Sequence, residues 1–236
     1  MKRIFYLALA LATAAFMALK LLGINDFDGL YRLMRIAVLV FVCVRCFQLA
    51  LKTGDKDALF TGTLGLLLLT ISELYLLAVI LVDERRPGTL GISDLSDAGS
   101  YLFFLAALSL LLLIPMRREK ALRAGLIITS GFIIVLTLYA VLRNNETLLY
   151  LKVTATACLC MAMSAWLFRQ SRRIKQQQKT AGFAQAMMFL AAVDIAIYIL
   201  LLCGQIYVMR VVTALYLPCF YCIGAGLMRL REIENG

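Results

Sequence analysis

The sequence predicts an all-α fold, a polytopic membrane helix bundle of about eight transmembrane helices. Composition is the first reason, because 63% of the 236 residues are hydrophobic and only 16% are charged. A soluble domain is usually about half apolar and about a quarter charged, so lipid is the expected solvent. Continuity is the second reason. The apolar segments are long and lack the alternation that the strands of a membrane barrel show.

Eight apolar segments are candidates for spans. A helix needs about 20 residues to cross the hydrocarbon, at about 1.5 Å per residue. In chain order, the predicted spans cover residues 4–22, 36–51, 58–82, 100–115, 121–142, 148–168, 181–203 and 211–228. The longest loop between them, residues 83–99, is too short for a domain. Residues 1–236 are therefore predicted to form a single integral membrane domain.

The distribution of basic residues predicts the orientation of the chain. The side that holds the amino terminus and the even-numbered loops carries 15 of the 24 lysines and arginines, and the other side carries 7. Cytoplasmic loops are the more basic ones, so both termini are predicted to be cytoplasmic, in the cell (plasma) membrane. The net charge of +10 favours anionic lipid headgroups as partners. Nucleic acid is not expected, because no nucleic-acid-binding motif is present.

Histidine is absent from the chain, which narrows the chemistry that is open to it. Its absence excludes Ser-His-Asp and Cys-His catalysis, histidine-ligated haem and the usual histidine zinc sites. All seven cysteines fall inside apolar runs, where a thiol most often fills space. The spacing of Cys43 with Cys46, and of Cys219 with Cys222, leaves a metal or redox role open as the alternative. No metal or cofactor is predicted.

Two acidic residues, Glu73 and Asp194, lie well inside apolar spans. A charge at the centre of a span costs at least about 2.5 kcal/mol on insertion scales, so it usually faces the bundle interior and has a partner. If the two carboxyl groups face each other, one can donate a proton while the other activates water. The alternative is structural: each acid hydrogen-bonds a neighbouring helix or pairs with a cation.

Three further residues are candidates for substrate binding. Arg45 is an intramembrane cation that could neutralise an acid, bind a lipid phosphate or extend to the cytoplasmic surface. Thr70 shares a helix face with Glu73, and Tyr198 shares one with Asp194. An apolar slot with a few polar groups would suit a lipid tail and its polar head. Ordinary helix packing is the alternative.

The chain shows a hint of internal repetition between residues 1–120 and 121–236. Residues 69–74 can be aligned with residues 190–195 so that the two acids coincide. Parallel repeats occur in membrane proteins, but apolar segments also align by chance. The third span also contains Gly62, Thr63 and Gly65, small residues that allow close helix approach.

The two acid-bearing segments resemble those of a known family. Residues 189–194, Phe-Leu-Ala-Ala-Val-Asp, are similar to an aliphatic segment ending in Ser-Asp in the YhhN family of lysoplasmalogenases. Residues 68–73, Leu-Leu-Thr-Ile-Ser-Glu, are similar to that family's segment ending in Gly-Asp. This chain thus has a glutamate in place of the first aspartate. The resemblance implies hydrolysis of the vinyl ether bond of a lysolipid, with Glu73 and Asp194 as the catalytic pair.

Two other classes of function stay open beside an enzyme. A multi-span bundle of this kind could be a non-catalytic membrane sensor or interaction module. It could also be a small proton-coupled transporter in which the carboxylates carry protons. Product release from a lipid would favour the hydrolase, proton-dependent flux into liposomes would favour the transporter, and specific partner capture would favour the module.

Overall fold

The regular elements that the structure describes are all helical. The computed structural model describes residues 2–23, 27–52, 57–83, 92–113, 146–173 and 180–230. Its helices are α1 (Lys2–Leu21), α2 (Asp28–Lys52), α3 (Asp57–Asp83), α4 (Ile92–Leu113), α5 (Glu146–Arg173), α6 (Ala181–Leu202), α7 (Ile206–Val212) and α8 (Tyr216–Leu230). A short 3-10 turn, Thr213–Leu215, joins the last two. The predicted all-α class is confirmed for this part of the chain. The predicted fifth span, residues 121–142, lies outside it.

Four of the described helical segments are long and apolar enough to cross a membrane. They are Asp28–Lys52, Asp57–Val79, Ala181–Leu202 and Ile206–Leu230. Shorter apolar stretches cover Leu7–Leu21, Ser96–Leu111 and Thr156–Arg169. The total of eight spans remains a prediction.

The predicted boundaries are accurate for some spans and wrong for others. Spans 58–82 and 181–203 agree with α3 and α6 to within one residue at each end. Span 36–51 was predicted to begin at residue 36, but α2 begins at Asp28. Span 211–228 likewise begins too late, because the apolar helical segment starts at Ile206 and contains a break. Two arginines that the prediction assigned to a loop, Arg32 and Arg35, consequently lie within α2.

Helix α8 packs against α2, α3 and α6. It runs antiparallel to α6. Tyr216 at its start bonds Asp194 toward the end of α6, and Gly226 toward its end contacts Phe183 near the start of α6. The large side chains that are almost fully buried come from α2, α3, α4, α5, α6 and α8. The bundle therefore has one main apolar core, to which all six of these helices contribute.

The end of α6 is set by a glycine. Gly204 adopts φ of 69°, a left-handed conformation that glycine reaches without a side-chain clash. The Gln205 N–H donates to the Leu200 oxygen at 2.8 Å, and the Gly204 N–H donates to the Leu201 oxygen at 3.1 Å. This Schellman pattern satisfies the last carbonyls of α6 and turns the chain into α7.

Small residues in α3 allow neighbouring helices to approach closely, as predicted. A Cβ atom at Gly62 would lie 2.5 Å from Leu227 Cδ2 on α8. At Gly65 it would lie 2.7 Å from Phe104 Cε1 on α4. Thr63, between them in sequence, is 1% exposed. The two glycines thus bring α8 and α4 against α3, as small residues do at helix interfaces in membranes.

The closest backbone approach is between α6 and α8, and it yields a prediction. A Cβ atom at Gly226 would lie 2.6 Å from the Phe183 Cα and 2.8 Å from its nitrogen. Backbone atoms cannot rotate away, so Gly226→Ala forces the two helices apart. We expect it to lower the free energy of unfolding by about 1–3 kcal/mol, measured as thermal unfolding of the purified protein in detergent.

Gly29 provides the matched control for this prediction. It lies in α2, and a Cβ atom there would meet nothing within 4 Å. Because alanine favours a helix over glycine, Gly29→Ala should leave the stability unchanged or raise it slightly. Equal effects of the two substitutions would show that the α6–α8 contact does not limit stability.

Candidate functional site

Glu73 on α3 forms an ion pair with two arginines of α2. Its Oε2 atom lies 2.9 Å from Arg35 Nη2 and 3.3 Å from Arg32 Nη1. Glu73 and Arg35 are each only 8% exposed. The cations that pair with Glu73 thus come from the first two turns of α2, and Arg45, the cation that the sequence suggested for this role, is not among them. Two guanidinium partners on one helix hold this buried carboxylate in one position.

Arg35 lies between two aromatic rings. Its guanidinium carbon is 5.9 Å from the centre of the Tyr31 ring and 5.7 Å from that of the Tyr216 ring. Both distances are within the range in which a cation is attracted to an aromatic face. Tyr31 belongs to α2 and Tyr216 begins α8, so Arg35 connects the Glu73 ion pair to α8.

Asp194 on α6 accepts hydrogen bonds from two tyrosines. The hydroxyl of Tyr101, on α4, donates to Oδ2, and that of Tyr216 donates to Oδ1. Each carboxylate oxygen therefore has its own donor, and the donors come from two different helices. Among the described residues, the partners recorded for Asp194 are hydroxyl groups, whereas those of Glu73 are guanidinium groups.

The two acids belong to one connected group, which we call the polar centre. It consists of six residues: Arg32, Arg35, Glu73, Tyr101, Asp194 and Tyr216. The contacts run from Glu73 to Arg35, from Arg35 to the Tyr216 ring, and from the Tyr216 hydroxyl to Asp194. The acids are thus linked through Arg35 and Tyr216.

The depth of the polar centre follows from the helix ends. Arg35 lies seven residues after the start of α2 at Asp28, or about 10 Å along the axis at about 1.5 Å per residue. Asp194 lies eight residues before the end of α6 at Leu202, or about 12 Å. Both are thus about two turns inside apolar helices, in the half of the bundle near the start of α2.

Comparison with known proteins does not assign this chain to a family. No family model, no curated protein and no solved structure matches it. The resemblance of residues 68–73 and 189–194 to the YhhN family therefore remains a resemblance in sequence.

A helix break lies beside the polar centre. The 3-10 turn Thr213–Leu215 interrupts the apolar segment directly before Tyr216. Pro218 has no N–H, so the carbonyl of Ala214, four residues earlier, lacks its usual helical donor. The Tyr31 hydroxyl donates to this carbonyl from α2. Irregular backbone in an apolar bundle needs such a partner, and here α2 provides it.

This arrangement predicts that the effect of removing the Tyr31 hydroxyl depends on Pro218. Tyr31→Phe leaves the buried Ala214 carbonyl without a donor, which should cost about 1–3 kcal/mol of unfolding free energy. In a Pro218→Ala background residue 218 regains an N–H, so the same substitution should cost much less. Thermal unfolding of the four proteins in detergent measures the difference.

Tyr207 is the control for Tyr31. Its hydroxyl also donates to a backbone carbonyl, that of Leu21, but the bond is exposed to the surroundings. Tyr207→Phe should therefore change stability by less than Tyr31→Phe. A loss on Tyr31→Phe that is the same with and without Pro218 would contradict the proposed role of the hydroxyl.

The three predicted substrate-binding residues lie in different surroundings. Thr70 is buried, and its hydroxyl donates to the Leu66 carbonyl of its own helix at 2.8 Å. Arg45 is exposed, and its guanidinium lies 5.9 Å from the centre of the Phe41 ring. Tyr198 is half-buried, one turn beyond Asp194. None of the three is among the recorded polar partners of Glu73 or Asp194 in the described part of the chain.

The polar centre also contains residues that the sequence analysis did not select. Arg32 and Arg35 were assigned to a loop, and Tyr101 and Tyr216 were not singled out. For Tyr216 the sequence offered one indication, Pro218, which lies two residues later and marks a break in an apolar helix.

The cysteine pairs show no metal or redox arrangement among the described residues. All seven cysteines are free thiols. Cys43, Cys46 and Cys219 are buried, and the Cys46 sulfur lies 3.6 Å from the Gly224 carbonyl oxygen. No group of three or more potential ligands is brought together in the described ranges. These thiols lie among packed helices, as apolar filler does.

Proposed function

We propose that this chain is an integral membrane hydrolase that cleaves the vinyl ether bond of a lysolipid, as lysoplasmalogenases do. In this proposal it has eight spans and lies in the plasma membrane with both termini in the cytoplasm. The four long apolar helices support membrane insertion. The resemblance of residues 68–73 and 189–194 to the YhhN family supports the reaction class.

The observation that carries the proposal is the environment of Asp194. It lies within an apolar helix, yet both of its oxygens accept hydrogen bonds from tyrosine hydroxyls. Tyrosine hydroxyls can donate to a carboxylate and accept from a carboxylic acid, so they can hold Asp194 in place in both protonation states. An acid–base catalyst must pass through both states in each turnover.

The reaction then needs one carboxyl group and one water molecule. Protonated Asp194 delivers its proton to the alkene carbon farther from the ether oxygen, and the other vinyl carbon becomes an oxocarbenium ion. Water adds to that carbon while the Asp194 carboxylate takes up a proton from the water. The resulting hemiacetal breaks its carbon–oxygen bond to the glycerol, and the products are a free glycerol hydroxyl and a fatty aldehyde.

Glu73 has a different role from Asp194 in this proposal. Its Oε2 atom bonds both Arg32 and Arg35, so its contacts are with guanidinium groups and not with the tyrosines beside Asp194. It holds Arg35, whose guanidinium stacks on the Tyr216 ring and so fixes one of the two donors to Asp194. Asp194 is thus the catalytic acid and Glu73 a positioning residue.

A product analysis in heavy water tests the proposed reaction. Purified protein is incubated with a mixed lysolipid pool that includes lysoplasmalogen, and products are followed by mass spectrometry. We expect a fatty aldehyde with one deuterium on the carbon next to the carbonyl, because the solvent proton adds to that carbon. An undeuterated aldehyde would indicate another cleavage chemistry. If the folded protein turns over no lysolipid, the proposal of a hydrolase is wrong.

One observation favours a second candidate, a proton-coupled transporter. The helix break at Thr213–Leu215 adjoins Tyr216 and, through it, Asp194. Interrupted helices beside intramembrane carboxylates are common at the binding sites of transporters. Proton-dependent flux in liposomes that carry the protein, lost in Asp194→Asn, would favour this candidate over the hydrolase.

A further inference from the structure

A groove lies between α6 and α8, near the start of α6 and the end of α8. Its volume is about 360 Å³, which is within the range of ligand pockets. Its lining includes four small residues, Gly182 and Ala186 from α6 and Ala225 and Gly226 from α8. The groove therefore follows the closest backbone approach of the two helices, where Gly226 contacts Phe183.

Arg229 gives one end of the groove a positive charge. It is the one charged side chain among the described residues that line the groove, and the ion pairs recorded for the described residues do not include it. A Cβ atom at Gly182 would lie 3.3 Å from Arg229 Nη1, so the missing side chain there leaves room for the guanidinium. Gln185, one turn after Gly182, also lines the groove, and both Arg229 and Gln185 are exposed. These N–H donors and the charge favour an anionic group.

The other end of the groove is aromatic and lies deeper in the helices. Phe189 is seven residues after Gly182, about 10 Å along α6, and Tyr221 is eight residues before Arg229, about 12 Å along α8. Gly182 is the second residue of α6 and Arg229 the last but one of α8, so the charged end lies where these apolar helices end. A cation at the membrane surface with an apolar groove below it matches the headgroup and the acyl chain of a phospholipid.

We propose that this groove binds an anionic phospholipid, with the phosphate at Arg229 and an acyl chain along Phe189 and Tyr221. The orientation proposed above places this end on the cytoplasmic side, where the leaflet carries anionic lipids and basic pockets between helices bind their headgroups. Gly182 lies twelve residues before Asp194, about 18 Å along α6, so the headgroup is held far from the polar centre. The site is therefore distinct from that of the proposed reaction, and its lipid connects α6 to α8.

A comparison of two lipids by native mass spectrometry tests the inference. The full-length protein, delipidated in detergent, is titrated with a phosphatidylglycerol or with the phosphatidylcholine that has the same acyl chains. The wild type should bind the first phosphatidylglycerol about fivefold more tightly, the effect of one arginine near an anionic headgroup. In Arg229→Gln this ratio should fall toward one. Gly182→Leu, which keeps the charge and fills the groove, should weaken the binding of both lipids.

Arg210→Gln is the matched control. Arg210 is an exposed arginine on α7, which follows the opposite end of α6. This variant should keep the wild-type ratio. The inference is overturned if Arg229→Gln also keeps the ratio, or if the wild type binds the two lipids equally. Dimers of the wild type that disappear in Gly182→Leu would assign the groove to a second copy of the chain and likewise overturn it.

Photo-crosslinking locates the lipid in the wild type, so this measurement does not depend on the folding of a variant. A phosphatidylglycerol with a photoreactive acyl chain should label residues 182–189 and 221–229, which contain the lining of the groove. Labelling that is confined to other parts of the chain would contradict the site. Neither lipid contains a vinyl ether, so these results stand or fall separately from the release of aldehyde by the proposed hydrolase.

Discussion

Asp194→Asn is expected to lower the rate of aldehyde release by about 10²–10⁴-fold, the usual contribution of a positioned acid–base group. Asparagine has nearly the same shape as aspartate, and its amide oxygen can still accept a hydrogen bond from a tyrosine. It cannot deliver a proton to the alkene or take one up from water. The loss should therefore appear in kcat, with the affinity for a saturated ether analogue unchanged.

The control for this substitution is Asp28→Asn. Asp28 begins α2, its side chain is 57% exposed, and it pairs with Lys20, so it lies near the same end of the bundle without entering the polar centre. Aldehyde release should stay close to that of the wild type. Full activity in a folded Asp194→Asn protein would contradict the role assigned to Asp194, and thermal unfolding in detergent shows whether the variant is folded.

The helices with few charges were predictable from the sequence because of the physics of the membrane interior. A chain in lipid must satisfy its backbone within the helix, so a span requires one long apolar run. The runs that become α3 and α6 contain one acid each, and their predicted ends differ from the observed ends by at most one residue. The single acid in each run therefore did not shorten the predicted span.

The start of α2 was not predictable in the same way. Arg32 and Arg35 raised the polarity before residue 36, and the prediction therefore placed them in a loop. Helix α2 instead continues through both, because Glu73 of α3 lies within ion-pairing distance. Whether an arginine can be buried depends on its partner, and this partner is 38 residues away from Arg35 in the sequence.

The tyrosines of the polar centre illustrate the same limit. Tyr101 is 93 residues from Asp194, and Tyr216 is 22 residues away. Ten tyrosines occur in the chain, and helical periodicity does not distinguish these two from the others. Pro218 did indicate a carbonyl in need of a donor at Ala214, but only the packing of α2 against α8 supplies the Tyr31 hydroxyl.

Glu73→Gln is expected to lower the free energy of unfolding by about 3–5 kcal/mol, the cost of leaving a buried charge without its partner. Glutamine is close to glutamate in shape, so little packing is lost. The Arg35 guanidinium would remain in the bundle without the Glu73 carboxylate. Thermal unfolding in detergent measures the loss, and Glu73→Asp, which keeps the charge, should retain part of the stability.

The double variant Glu73→Gln, Arg35→Gln separates the ion pair from the other effects of each substitution. If the pair is a unit, removing both partners should cost less than the sum of the single changes, because no unpaired Arg35 remains. Arg32 also contacts Glu73, so Arg32→Gln as a third change measures its share of the same ion pair. Strict additivity of the single effects would mean that Glu73 and Arg35 do not stabilise each other. Glu73 would then have no means of positioning Arg35 against Tyr216, and the division of roles between Glu73 and Asp194 would lose its physical basis.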